Sequence, residues 1–203
     1  MSDIKRNAIV IGITGGIACG KSEVGRILRE MEYTVCDADS LAHDLMRKGT
    51  SVFDQIVSHF GKDILSDEGE ISRPILGKII FYNPDQREIL NKLVHPAVRE
   101  ALIEWIKEKR SLGQNAAVLI PLLYESGMQN LDWNSVICVS SSEGDVFQRL
   151  EKRGLSNEEA ESRIYSQMEV TEKEKLADYV VPNSGTLGEL ELATRKIVQA
   201  IVG

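Results

Sequence analysis

Five short apolar runs divide the chain: Ala8–Thr14, Tyr33–Cys36, Ala116–Pro121, Ser135–Val139 and Asp178–Val181. Several are near-continuous in Val and Ile instead of alternating with polar residues, the pattern of strands covered on both faces. Between them, residues 23–31, 41–47, 143–153 and 188–202 place apolar side chains at helical spacing. Strand alternating with helix predicts an α/β fold with a parallel sheet and right-handed crossovers. Ser156 with Glu159, and Thr171 with Glu174, each fit the capping box that opens a helix.

Residues 52–113 break the alternation. They read as helix without a convincing strand, interrupted by Gly61, Ser72-Arg73-Pro74, Asn83-Pro84 and His95-Pro96, and ended by Gly113. No Gly/Ser-rich or Pro-rich linker brackets them. We expect a single domain, with a core of residues 1–51 and 114–203 and a helical insertion at 52–113. Trp105 and Trp133 read as packing residues.

The bulk properties narrow the class. At 203 residues and 42% hydrophobic, the chain can bury one substantial core. Its net charge of −7 argues against a general nucleic-acid binder, while leaving room for a local anion pocket. No apolar stretch approaches the roughly 20 residues that cross a bilayer, so no membrane partner is expected. The opening string MSDIKRN lacks an apolar h-region, which predicts no secretory signal. Cys19, Cys36 and Cys138 are widely spaced without a metal-ligand pattern, as reduced thiols of a cytoplasmic protein would be.

The chemistry begins where the first apolar run ends. Gly15-Gly16-Ile17-Ala18-Cys19-Gly20-Lys21-Ser22 has the spacing G-x-x-x-x-G-K-S, between a predicted strand and a predicted helix. Glycines let successive amides curl around phosphate oxygens, and the helix start turns its free N–H groups on the same anion. Lys21 supplies a point charge for the β and γ phosphates, and the Ser22 hydroxyl suits a magnesium shell. The loop predicts a nucleoside triphosphate ligand. Cys19 lies beside Lys21 near a helix N-terminus, where a thiol pKa falls, so sensitivity to oxidants and alkylating agents is expected.

Asp37 and Asp39 follow the second apolar run. If extended, the segment points both carboxylates to one side, at the sheet edge where open α/β folds keep ligands. One could orient an acceptor hydroxyl and take its proton while the other holds magnesium. Alternatively, Asp39 and Ser40 simply open the next helix. Arg149 and Arg153, four apart, would share a helix face, with Arg163 and Gln167 on the capped helix that follows. Such arginines suit closure over a triphosphate, although taken alone they are better accounted for by a solvated face paired with Glu151, Glu158, Glu159 and Glu161. His95-Pro96 fits a helix break, and Glu125 fits a loop cap or a substrate-orienting group.

Together, "GITGGIACGKSEV", "CDADSLAH", "NKLVHPAVRE", "IPLLYESG", "QRLEKRGLS", "ESRIYSQ" and "ADYVVPNSGTLGEL" resemble the dephospho-CoA kinase family, in the family's order. The resemblance implies a P-loop three-layer sandwich like the nucleoside monophosphate kinases. It would have a five-stranded parallel sheet, a helical acceptor-binding insertion and a helical lid at about residues 143–170. It implies ATP-dependent phosphorylation of the ribose 3′-hydroxyl of dephospho-CoA, with Mg²⁺ and without an obligate protein partner. Asp39 resembles the family's catalytic carboxylate, with Lys21 and the lid arginine Arg153 beside it in the chemistry. Thr14, Gly15, Gly16, Ile17, Ala18, Cys19, Gly20, Lys21, Ser22 and Glu23 resemble its ATP site, with Arg149 and Asn183 beside the nucleotide. His95, Leu122, Glu125, Arg163 and Gln167 resemble acceptor-site positions, and Ser22 with Asp37 would hold the metal. Glu23 departs from the hydroxyl residue usual after Lys-Ser, and Gly77 stands where arginine is common. Another metabolite kinase is the nearest alternative; a GTPase switch would need N-K-x-D and a D-x-x-G after the third strand, where "IPLLYESG" stands instead.

Overall fold

A computed structural model describes residues 8–203, so MSDIKRN and the expectation placed on it lie outside the described residues. The chain divides into two compact units. One runs up to Asp37 and resumes from Trp105 to Gly203; the other is Ala38–Glu104.

The first unit holds the sheet. Its strands are β1 (Val10–Gly15), β2 (Thr34–Asp37), β3 (Ala116–Leu119), β4 (Ser135–Ser140) and β5 (Tyr179–Pro182). All neighbours are parallel in the order β2-β3-β1-β4-β5, as the unbroken apolar runs predict. Every residue of the central strands β1 and β3 is buried, while the edge strands β2 and β5 keep exposed positions. Helices α1 (Lys21–Glu30) and, at the C-terminus, Leu187–Val202 pack on each other. Ile11, Ile13, Ile27, Leu28, Ile137 and Val139 form the centre of the core. Each such side chain contributes about 1.5–3 kcal/mol by leaving water.

The strand starts are closed by side chains. Asn115 Oδ1 accepts from the Ile9 amide (2.9 Å), and Asn134 Oδ1 from the Val10 amide (2.8 Å). Asp178 Oδ2 accepts from the Val136 amide (2.7 Å), and Arg110 donates to the carbonyls of Ala8 and Asp132 (3.0 and 2.8 Å).

The second unit is helical. It comprises α2 (Ala38–Leu45), α3 (Ser51–Phe60), α4 (Arg73–Tyr82) and most of α5 (Pro84–Ser111), within which the division between units falls. Gly61 terminates α3 with φ +83°, and Pro74 opens α4 instead of breaking a helix. His95-Pro96 is not a break: α5 continues through both. Leu90, Val94, Val98, Leu102 and Ile106 form a buried stripe across the proline. Burying several such residues outweighs the roughly 3 kcal/mol a helical proline costs.

Returning to the first unit, α6 (Glu143–Glu151), α7 (Asn157–Tyr165), α8 (Val170–Leu176) and α9 (Leu187–Val202) complete the chain. Ser156 and Glu159 form the predicted capping box. Thr171 and Glu174 do not, because α8 already begins at Val170 and Thr171 lies inside its first turn. The second box belongs to Thr186 and Glu189, at the start of α9. Trp133 packs over Gly12 and donates its indole N–H to the Met128 carbonyl (2.9 Å), in keeping with a packing role. Among the described residues, no helix is long and apolar enough to cross a membrane.

Candidate nucleotide and phosphoryl-transfer site

In the loop between β1 and α1, side chains occupy four carbonyls while three amides are left open. Lys21 Nζ donates to the carbonyls of Gly15 (3.0 Å) and Gly16 (2.7 Å). Arg149 donates to the Ala18 carbonyl (3.1 Å), and the Asn183 amide to the Cys19 carbonyl (2.8 Å). The amides of Ile17, Ala18 and Gly20 have no partner among the described residues. Free N–H groups at a helix start make an anion site. Two glycines are indispensable to this path. Gly15 (φ +143°) runs so close to β4 that a Cβ would strike the Val139 carbonyl, and Gly20 (φ +98°) leaves no room beside the Asn183 amide.

All five strands bring residues to the same carboxyl edge. Gly15 ends β1, Asp37 ends β2, the turn at residues 121–127 follows β3, Ser141 follows β4 and Asn183 follows β5. Arg149 ties three of these together, donating also to Ser141 Oγ (2.8 Å) and the Asn183 carbonyl (2.8 Å). Its guanidinium is therefore part of the loop's scaffold. Thr14 is fully buried, its hydroxyl directed to the Pro121 carbonyl (3.4 Å). Ser22 is exposed and Glu23 half-buried in the first turn of α1.

A cavity of about 530 Å³ opens beside the loop, lined by Gly16, Cys19, Ser141, Ile164, Gln167 and Val170 among others. That volume is in the range of small-molecule pockets. The Gln167 side-chain oxygen is buried there without a partner among the described residues. Arg153 and Arg163 do not line it; both are exposed on the α6–α7 hairpin. The shared helix face expected for Arg149 and Arg153 does not form, because α6 ends at Glu151 and the chain turns at Gly154 (φ +84°).

Cys19 overturns its expectation. The side chain is 1% exposed, and burial pushes the thiol pKa up despite the nearby charge of Lys21. Desolvation of the thiolate dominates, so the loop does not make a reactive nucleophile. All three cysteines are free thiols, as expected from their spacing.

Asp37 is half-buried, whereas Asp39 is exposed in the first turn of α2. The segment is helical from Ala38, so the alternation that would pair the two carboxylates is absent and Asp39 opens a helix. Glu125 accepts from the Met168 amide (3.0 Å) and pairs with Lys173 (2.8 Å). Leu122 precedes it in the same turn and is half-buried. In the helical unit, His95 is half-buried on α5, and burial lowers its pKa. That unit has its own cavity of about 620 Å³, lined by His43, Met46, Arg47, Arg73, Leu76 and Leu90 among others. Gly77 also lines it. Among the described residues, no group of three or more His, Cys, Asp or Glu side chains converges as a metal cage.

Sequence reasoning missed Ser141 and Lys173. Lys173 lies in "TEKEKL", a charge run indistinguishable from a solvated helix until the fold buries it.

Comparison with known proteins agrees with this architecture. The family model "Dephospho-CoA kinase" matches residues 9–189. A dephospho-CoA kinase of Bacillus thuringiensis subsp. konkukian is 44% identical over 200 residues, covering 96% of each chain. The crystal structure of a Thermus thermophilus protein superposes with TM-score 0.78 at 32% identity, over 97% of this chain and 100% of that one. A dephospho-CoA kinase from Campylobacter jejuni gives TM-score 0.70 at 29% identity, covering 95% and 96%. Phosphate loop, sheet order and sequence kinship agree: the chain belongs to the dephospho-CoA kinase family.

Proposed function

We propose that this chain transfers the γ-phosphoryl group of ATP to the ribose 3′-hydroxyl of dephospho-CoA, giving CoA and ADP, with the residue roles that follow. Family membership supports the reaction, and the loop with tied carbonyls and open amides carries the nucleotide assignment. The amides from Gly15 to Ser22 cradle the phosphates, and Lys21 turns from its own loop carbonyls to the β and γ oxygens. Arg149 and Asn183 hold the loop in shape for that anion, while Thr14 and Glu23 flank it. Arg153, exposed and next to the Gly154 turn, closes with the α6–α7 lid and stabilises charge on the transferring group.

The helical unit takes the acceptor. Its cavity combines Arg47 and Arg73, cations for phosphate groups, with His43 and with apolar surface for the arm from Met46, Leu76 and Leu90. His95, on α5 of the same unit, joins these acceptor contacts; Leu122, Glu125, Arg163 and Gln167 lie in the first unit. Asp39 receives the 3′-hydroxyl; for a loose transition state its positioning matters as much as its basicity.

Ser22 and Asp37 fit magnesium. Both are hard oxygen donors, and Mg²⁺ needs only one or two such groups with substrate phosphates and water. Ser22 and Asp37 would hold it, and it would supply positive charge against the negative charge that develops during the transfer. Three free thiols suit a cytoplasmic enzyme.

The test is to incubate the protein with Mg-ATP and dephospho-CoA while following ADP and CoA together. CoA is expected in step with ADP, with little ADP when acceptor is omitted. Nucleotide turnover without CoA would preserve the loop's role and replace the acceptor.

A further inference from the structure

Lys173, in α8, is the only charged side chain buried outright among the described residues, at 0% exposure. Its ammonium donates to the Pro121 carbonyl (2.7 Å) and lies 2.8 Å from Glu125 Oε1. The same Pro121 carbonyl accepts the Thr14 hydroxyl (3.4 Å), and the same Glu125 oxygen accepts the Met168 amide (3.0 Å). One buried cation therefore joins the end of β1, the turn after β3, the α7–α8 connection and α8. Thr14 directly precedes the phosphate loop, and Met168 follows Gln167, which lines the cavity beside that loop.

We propose that Lys173 is a positioning residue for phosphoryl transfer. Through Glu125 and Pro121 it fixes the return of the α6–α7 hairpin against the base of the phosphate loop. This rests on the kinase reading above. Stability alone does not require a lysine here, since an apolar pair of similar volume often serves as well as a buried ion pair. An apolar pair cannot select one carbonyl and one carboxylate oxygen, and that selection sets where Met168 is held. Closure of the hairpin excludes water from the transferring group. A loosened return should cost turnover and let ATP be lost to hydrolysis.

The experiment compares K173M/E125L with the parent protein in three readouts: thermal midpoint, kcat for CoA at saturating dephospho-CoA, and ADP released per CoA formed. The double variant removes both charges, so neither is left buried alone. Its midpoint is expected to stay close to the parent's, while kcat falls about 10- to 100-fold and ADP per CoA rises severalfold. A folded double variant with parental kcat and parental coupling overturns the proposal. So does a loss of rate that merely tracks the unfolded fraction, or a rise in the KM for dephospho-CoA at unchanged kcat. If the double variant does not fold, E125Q decides: raised ADP per CoA is expected, and parental coupling overturns it. A parent protein that makes no CoA fails before any variant is compared, and takes both the functional reading and this inference with it.

Discussion

The two edges of the sheet are made by the same five strands and are finished in opposite ways. At the amino edge, Asn115, Asn134, Asp178 and Arg110 turn their polar atoms onto strand backbone, satisfying groups that the sheet leaves open. At the carboxyl edge the bonds run the other way. Lys21, Arg149 and Asn183 occupy loop carbonyls, while the amides of Ile17, Ala18 and Gly20 have no partner among the described residues. One edge is closed by side chains; the other leaves amides open, as the proposed phosphate site requires. Open N–H groups at a helix start favour an anion, which is what the proposed nucleotide site requires.

The sharpest way to break the contrast is at the carboxyl edge. Lys21→Met removes the loop's charge and is expected to lower kcat/KM about 10²–10³-fold with the fold intact. Asp39→Asn, in the helix that begins just after β2, is expected to lower kcat about 10²–10⁴-fold with little change in ATP affinity. Steady-state rates alongside circular dichroism check both. A near-parental kcat for Asp39→Asn would remove that residue from the chemistry.

The amino edge should respond in the other currency. Asn134→Ala orphans the amide of Val10, a residue with 0% exposure, and costs about 1–3 kcal/mol. At roughly 2–4 °C per kcal/mol for a chain this long, the thermal midpoint drops by several degrees. Turnover at 25 °C should not change, and a large fall in kcat would show that the edges are not separable.

Smaller effects follow from the thiols. Burial raises Cys36 to about 11 and Cys138 to about 12, and it raises Cys19 as well. Iodoacetamide at pH 8 should therefore leave the folded protein active, with or without ATP. The ordinary value is 9.0, so above pH 9 an unfolded chain ionises these groups while the native state resists. Their contribution to stability is intact below pH 9 and falls as pH rises toward 11 and 12. Denaturant midpoints measured from pH 8 upward check the sign.

The strands, the phosphate loop and the Ser156 capping box are legible from the sequence because each is a local pattern with a local cause. What stays hidden is set by tertiary contact. The conflict at Pro96 is decided by the burial of Leu90 to Ile106, which no local rule weighs. Cys19 follows the rule for a thiol beside a cation until the fold desolvates it. Lys173 sits in a run of charges and becomes a buried cation only because α8 packs against β1 and β4. The family resemblance implies Arg149 and Asn183 beside the nucleotide, but their use as fasteners of the loop carbonyls is a property of strand ends meeting.

The finest test of the unsaturated edge concerns Glu23, an acid in the first turn of the helix proposed to receive the triphosphate. A carboxylate there stabilises the empty helix start, because it faces the positive end of the dipole. The same charge opposes a polyanion arriving at the same place. Arg26 resolves the conflict: its Nε lies 2.5 Å from Glu23 Oε1, and its other end reaches Glu30. Arg26→Gln should leave the Glu23 charge uncompensated against an arriving polyanion. The KM for ATP is then expected to rise about threefold to tenfold at low ionic strength, and less at high salt. Adding Glu23→Gln in that background should restore the parental KM, since the charge and its counter-charge leave together. If Arg26→Gln leaves the KM unmoved at low salt, Glu23 is directed away from the phosphates, and the loop tolerates an acid by geometry instead of by pairing.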